Sequence, residues 1–179
     1  MIFIINNLSK IIIHITIFLI IYILIRLLYI KIYNKKTILN QEILKLLFWT
    51  YLYSIITITI LISLPKDLSS LFPLDFKGNI NTTTFLVVTH TINSIKHGNY
   101  QYILINVLGN IVAFIPLGIL LPIIYGKKGL FNVLIYGFTF SFFIEIIQSL
   151  LFRATDVDDI MLNTLGTLIG YFIYRFIIK

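Results

Sequence analysis

The sequence predicts an all-α protein, a polytopic membrane bundle of about five transmembrane helices with a polar pocket at the outer-leaflet end. Three observations carry this. Hydrophobic residues make up 59% of the 179 and charged residues only 12%, where a soluble domain is about half apolar and about a quarter charged. Several apolar runs reach the roughly 20 residues that a helix needs to cross about 30 Å of hydrocarbon. Polar and acidic residues then recur inside those runs from Asn106 to Gly170, although Asp, Lys or Arg at a membrane helix centre costs about 2.5–3.5 kcal/mol on insertion scales.

The elements are read in order along one domain, residues 1–179. The first span, near 11–32, is a retained helix, because Lys10 is the lone cation before it and no small-residue cleavage site follows. The second, near 43–64, is stopped by Pro65, which cannot continue a helix. The third, near 103–125, contains Pro116 and Pro122, tolerated where neighbouring helices re-satisfy the freed backbone. The fourth and fifth lie near 130–151 and 159–178. In the long connection 65–102, the stretch from Thr82 to Ile95 is apolar but too short to cross, which fits an interfacial or re-entrant segment.

Charge placement sets the expected orientation. Lys31, Lys35, Lys36, Lys45, Lys127, Lys128, Arg175 and Lys179 fall on one side, against Lys10, Lys66, Lys77, Lys96 and Arg153 on the other. The positive-inside rule puts the first set, with the C-terminus, in the cytoplasm and the N-terminus outside. Asp67, Asp75, Asp156, Asp158 and Asp159 then lie outside. The net charge of +7 is spread over helix ends, so nucleic acid is not an expected partner. The absence of cysteine removes disulfides, thiolate metal sites and thiol nucleophiles. Arg26, late in the first span, is expected to snorkel to the interface.

Depth brings the internal polar residues together. At about 1.5 Å of rise per residue, Asn106 and Asn110 lie about 5 and 10 Å into the third span, and Asn163 about 6 Å into the fifth. Gln148 and Glu145 lie about 5 and 9 Å from the same end on the fourth. Asn106/Asn110 and Asp159/Asn163 are i,i+4 pairs and Glu145/Gln148 is i,i+3, so each pair shares a helix face. These faces should turn toward one another, forming a pocket roofed by the 152–158 loop with Arg153 and the aspartates.

Two readings of these residues stay open. Amides join membrane helices at about 0.6–2 kcal/mol per contact, so Asn106, Asn110, Gln148 and Asn163 serve either packing or substrate binding. Gly166 and Gly170 form a GxxxG with a packing role. Glu145 points further toward function, since a carboxyl in hydrocarbon must be protonated or paired with a cation. Arg153 is the expected partner, with Asp156 and Asp159 competing for the same guanidinium. Carboxylates beside amides could ligate a divalent cation through oxygen. No metal motif of defined spacing is present, His14, His90 and His97 are scattered, and neither metal nor cofactor is expected.

The segments NVLGNIVAFIPLGILLPIIY (106–125) and IEIIQSLLFRATDVDDIMLNTLGTLIGY (144–171) resemble the VanZ-like family of bacterial membrane proteins. The family pattern is Asn-x-x-x-Asn and Pro-x-Gly, then Glu-x-x-Gln, Arg, an Asp cluster and Asn-x-x-Gly-x-x-x-Gly. It marks Asn106, Asn110, Pro116, Gly118, Glu145, Gln148, Arg153, Asp156, Asp159, Asn163, Gly166 and Gly170. The chain departs from the family in its outer loop, where Asn79-Ile80-Asn81 stands in place of an Asn-Leu-x-Pro-Phe-like stretch. The resemblance implies a cell-envelope protein associated with resistance to glycopeptide antibiotics, mainly teicoplanin, without a defined reaction. Membrane lipids and a lipid-linked cell-wall precursor are the partners it implies. One reading is a non-enzymatic binder of such a component. The alternative is an intramembrane enzyme acting on a lipid headgroup or lipid-linked sugar. There Glu145 would be general acid or base, Arg153 would hold a phosphate, and Asp156 and Asp159 would assist.

Overall fold

A computed structural model describes residues 7–61, 64, 80–81, 86–98, 100–126, 129–151 and 155–178. Among the described residues five helices are long and apolar enough to cross a membrane, as composition predicts, and the protein is a multi-pass membrane protein. They fall in two compact units, Met1–Ser63 and Leu64–Lys179.

The first unit is a helical hairpin, α1 (Leu8–Ile32) and α2 (Leu39–Thr59). Helix α2 starts four residues before the expected 43 and ends at Thr59 rather than 64. Its start is set by Ile38, which is extended (ψ 119°), so Leu39 is the first residue that can turn helically, and Glu42 then occupies the first turn. Asn34 makes the preceding turn at φ 46°, a left-handed conformation that Asn tolerates better than most residues. The hairpin is antiparallel. Phe18 stacks on Tyr53 with ring centroids 4.2 Å apart, and eight residues further along α1 Arg26 meets Glu42, well back along α2. Most of α1 is exposed, Ile11 being its buried residue, and the side chains it presents are Ile, Leu and Tyr suited to lipid.

The second unit begins with the two-residue strand β1 (Ile80–Asn81) and the helix α3 (Leu86–Lys96). At 11 residues α3 is too short to cross, as the sequence predicts for this connection. A short turn at Tyr100–Tyr102 and a π-helical stretch at Ile103–Leu108 lead into α4 (Gly109–Ile124), which carries Pro116 and Pro122 without interruption. Then come α5 (Leu130–Leu150), the strand β2 (Thr155–Asp156) and α6 (Val157–Ile173), which ends in a second π-helical stretch, Tyr174–Ile178. Strands β1 and β2 pair in parallel, Ile80 with Thr155 and Asn81 with Asp156. They tie Ile80–Asn81 to the chain just ahead of α6.

Small residues decide how these helices pack. Between membrane helices there is no gain from leaving water, so association rests on close van der Waals contact and internal hydrogen bonds. Gly166 and Gly170 let α6 lie directly on the backbone of α4: a Cβ at Gly166 would strike the Ile111 carbonyl, and one at Gly170 the Ile115 carbonyl. Four residues along α6 correspond to four along α4 in the same sense, so the two run parallel. Gly118 reciprocates from α4, against Thr167 and Gly170–Tyr171. Helix α5 runs the other way, with Gly137 against Thr167 and Ser141 against Asn163. Its buried face repeats every four residues: Val133, Gly137, Ser141, Glu145 and Ser149.

Candidate functional site

The parallel course of α4 and α6, with α5 antiparallel between them in sequence, brings the N-terminal ends of α4 and α6 beside the C-terminal end of α5. Polar residues gather there. Asn110 Nδ2 donates to Asp159 Oδ1 at 2.7 Å, linking α4 to α6. Asn163 Nδ2 donates to Ser141 Oγ at 2.8 Å, linking α6 to α5. Its backbone carbonyl accepts from Thr167 Oγ1 at 3.0 Å. Glu145 lies one turn beyond Ser141 on the same buried face and is 3% exposed. Asp158 is 2% exposed.

Two polar atoms in this group are buried without a hydrogen-bond partner among the described residues: Asn163 Oδ1 and Ser149 Oγ. A buried, unpaired polar group costs about 1–3 kcal/mol and is rare enough in native proteins to need a reason. Asn163 spends its Nδ2 on Ser141 and leaves its side-chain carbonyl oxygen buried and unmet among the described residues.

The predicted residues are not all gathered. Asn110, Glu145, Asp159 and Asn163 converge on the buried faces of three helices, and Gln148 is half-buried near the end of α5. Asn106 is exposed, whereas Asn110 is half-buried and bonded to Asp159. Asn106 lies in the π-helical stretch ahead of α4. Asp156 is placed by its backbone in β2. Arg153, and with it the expected Glu145–Arg153 pair, lies outside the described residues. His14 is in α1 and His90 in α3, while His97 follows α3 with Nδ1 2.7 Å from the Asn93 carbonyl. No group of three or more His, Cys, Asp or Glu is placed to hold a metal among the described residues.

Ser141 and Ser149 were not singled out from the sequence, although both were findable. They sit four residues before and after Glu145, on the one face a buried Glu must share.

The match to a known family extends well beyond these segments. The VanZ/LLP1 family matches residues 12–178. The chain belongs to this family. Protein VanZ of Enterococcus faecium is 31% identical over 78 residues, covering 43% of this chain and 46% of that protein, so the alignment spans less than half of either. No solved structure matches. Membership of the VanZ/LLP1 family accounts for both units, since the matched region runs from α1 to the end of α6.

Proposed function

We propose that this VanZ-like protein is a cell-envelope membrane protein that binds a lipid-linked cell-wall component in the polar cluster of α4, α5 and α6, and lowers susceptibility to teicoplanin by doing so. The observation that carries the reading is the buried, unmet Asn163 Oδ1, set beside Ser141, Glu145 and the Asn110–Asp159 bond. An acceptor of that kind suits a ligand with hydroxyl or amide hydrogens to give, as saccharide and peptide portions of cell-wall precursors have. Asn110, Gln148 and Asn163 are the binding residues in this reading, and Asn106 contributes from the exposed rim. The positive-inside rule places the cluster toward the outer leaflet of the cell membrane, with the N-terminus outside and the C-terminus cytoplasmic.

The competing reading is an intramembrane enzyme on a lipid headgroup or lipid-linked sugar, and the near-complete burial of Glu145 and Asp158 favours it. Glu145, Arg153, Asp156 and Asp159 are its catalytic candidates.

One experiment addresses both. Teicoplanin and vancomycin susceptibility is measured in a sensitive Gram-positive host expressing wild type, Glu145→Gln, Asn163→Leu or Arg153→Ala at matched membrane levels. Binding predicts that wild type protects, Asn163→Leu loses protection and Glu145→Gln keeps part of it, because the amide preserves size and much of the hydrogen bonding. Complete loss in Glu145→Gln favours the enzyme, and no protection by wild type refutes the resistance role.

A further inference from the structure

The α1–α2 hairpin carries a polar assembly of its own. Arg26 Nε and Nη2 donate to the Glu42 carboxylate at 2.5 and 2.8 Å, and Lys45 Nζ reaches the same carboxylate at 3.0 Å. The Arg26 guanidinium also lies 5.0 Å from the centre of the Tyr29 ring. The snorkelling expected of Arg26 is thus joined by a fork of two hydrogen bonds to α2. This pair walls one side of a groove of about 380 Å³ between the helices. The remaining wall is almost wholly apolar, formed mainly by Tyr22, Ile23, Leu27, Ile30, Ile43 and Leu46.

The turn above the groove is strongly basic. From Arg26 to Lys45 there are five cations, Arg26, Lys31, Lys35, Lys36 and Lys45, and one carboxylate, Glu42. Arg26 and Lys45 share that carboxylate. Lys31, Lys35 and Lys36 are exposed, and none is in an ion pair among the described residues. Arg26 is six residues, about 9 Å, below the end of α1. The free cations therefore stand at headgroup level and the apolar groove at hydrocarbon level.

We propose that the α1–α2 hairpin is a binding site for an anionic phospholipid, its phosphate on Lys31, Lys35 and Lys36 and one acyl chain in the groove. The order of charge and apolar surface along the hairpin matches the order of phosphate and chain in such a lipid. A zwitterionic lipid offers the same chain but no net charge to answer three free lysines. Clustered cations at a membrane surface each strengthen anionic lipid binding by about fivefold.

The single tryptophan of the chain makes this testable. Trp49 is half-exposed and follows Leu46 by three residues along α2, about 4.5 Å beyond the groove. The full chain is placed in vesicles of zwitterionic lipid, and Trp49 fluorescence is recorded while phosphatidylglycerol or phosphatidylcholine with dibrominated chains is titrated in. The expected result is saturable quenching by the brominated phosphatidylglycerol, at a mole fraction at least roughly tenfold below that needed for the phosphatidylcholine. Raising the salt should narrow the difference. The triple variant Lys31→Ala, Lys35→Ala, Lys36→Ala should lose the preference and keep the weak phosphatidylcholine quenching, and the triple Arg variant should retain it. Equal quenching by the two lipids overturns the proposal, as does a preference that survives the triple Ala variant. Glycerophosphate in solution should not displace the lipid; if it does, the acyl groove plays no part and the proposal fails. None of these readouts depends on antibiotic susceptibility, so this site and the α4–α6 cluster stand or fall separately.

Discussion

Replacing Gly166 by alanine adds one carbon at the point where α6 lies on α4. That carbon would overlap the backbone carbonyl of Ile111, and a backbone carbonyl in a helix cannot swing aside as a side chain can. To restore van der Waals contact the helices must part by on the order of 1 Å. The same withdrawal opens the matching contacts at Gly118 and Gly170, which sit on the same seam. A gap of about 0.5–1 Å forfeits roughly a quarter to a half of each contact's attraction, and without a hydrophobic driving force nothing else refills it. The expected destabilisation is about 1–3 kcal/mol, the usual range for an overpacked interior. It should lower the midpoint of thermal unfolding in detergent by roughly 2–12 °C. Gly129→Ala is the matched control, because a Cβ there meets nothing within 4 Å and φ is −64°. Should Gly166→Ala unfold at the same temperature as wild type and Gly129→Ala, the α4–α6 seam is not packed as described.

Other outcomes follow from the same geometry. Asn110→Leu and Asp159→Leu, alone and together, should show a coupling of about 0.6–2 kcal/mol in a double-mutant cycle of unfolding, and strict additivity would break the 2.7 Å link between α4 and α6. Asn163→Leu combined with Ser141→Ala should cost less than about 1 kcal/mol of stability, because removing both partners, one of them holding an unmet acceptor, is nearly neutral; the same variant should lose the protective effect in the susceptibility assay. Arg26→Ala leaves Glu42 with Lys45 and should destabilise by roughly 1–3 kcal/mol, whereas Arg26→Ala with Glu42→Gln should recover much of that loss in thermal unfolding.

The spans were legible because length and hydropathy are one-dimensional properties: about twenty apolar residues cross a bilayer whatever their neighbours. The burial of Glu145 and Asn163 was legible for a related reason, as a polar residue in such a run has nowhere to turn but inward. What could not be read depended on local winding or on distant partners. Asn106 stands exposed in the π-helical stretch Ile103–Leu108, and nothing in the residue types there announces a π turn. Ser141 was passed over because a serine in an apolar helix carries no signal until Asn163 is placed opposite it. The Arg26–Glu42 pair joins residues on either side of a turn, and its register follows from where α2 begins, at Leu39, ahead of the apolar run that marks the span.

The parallel pairing of Ile80–Asn81 with Thr155–Asp156 has a temporal consequence. It closes a large chain loop that contains α3, α4 and α5, so it cannot form until α5 has emerged and the chain has returned to the same side of the membrane. Synthesis therefore delivers the 65–102 connection long before its anchoring strand exists. The end of the bundle that carries Asn110, Glu145 and Asp159 is assembled last, once α6 has entered and drawn β2 alongside β1. A stalled or truncated chain ending in α5 would leave Ile80–Asn81 without its partner strand.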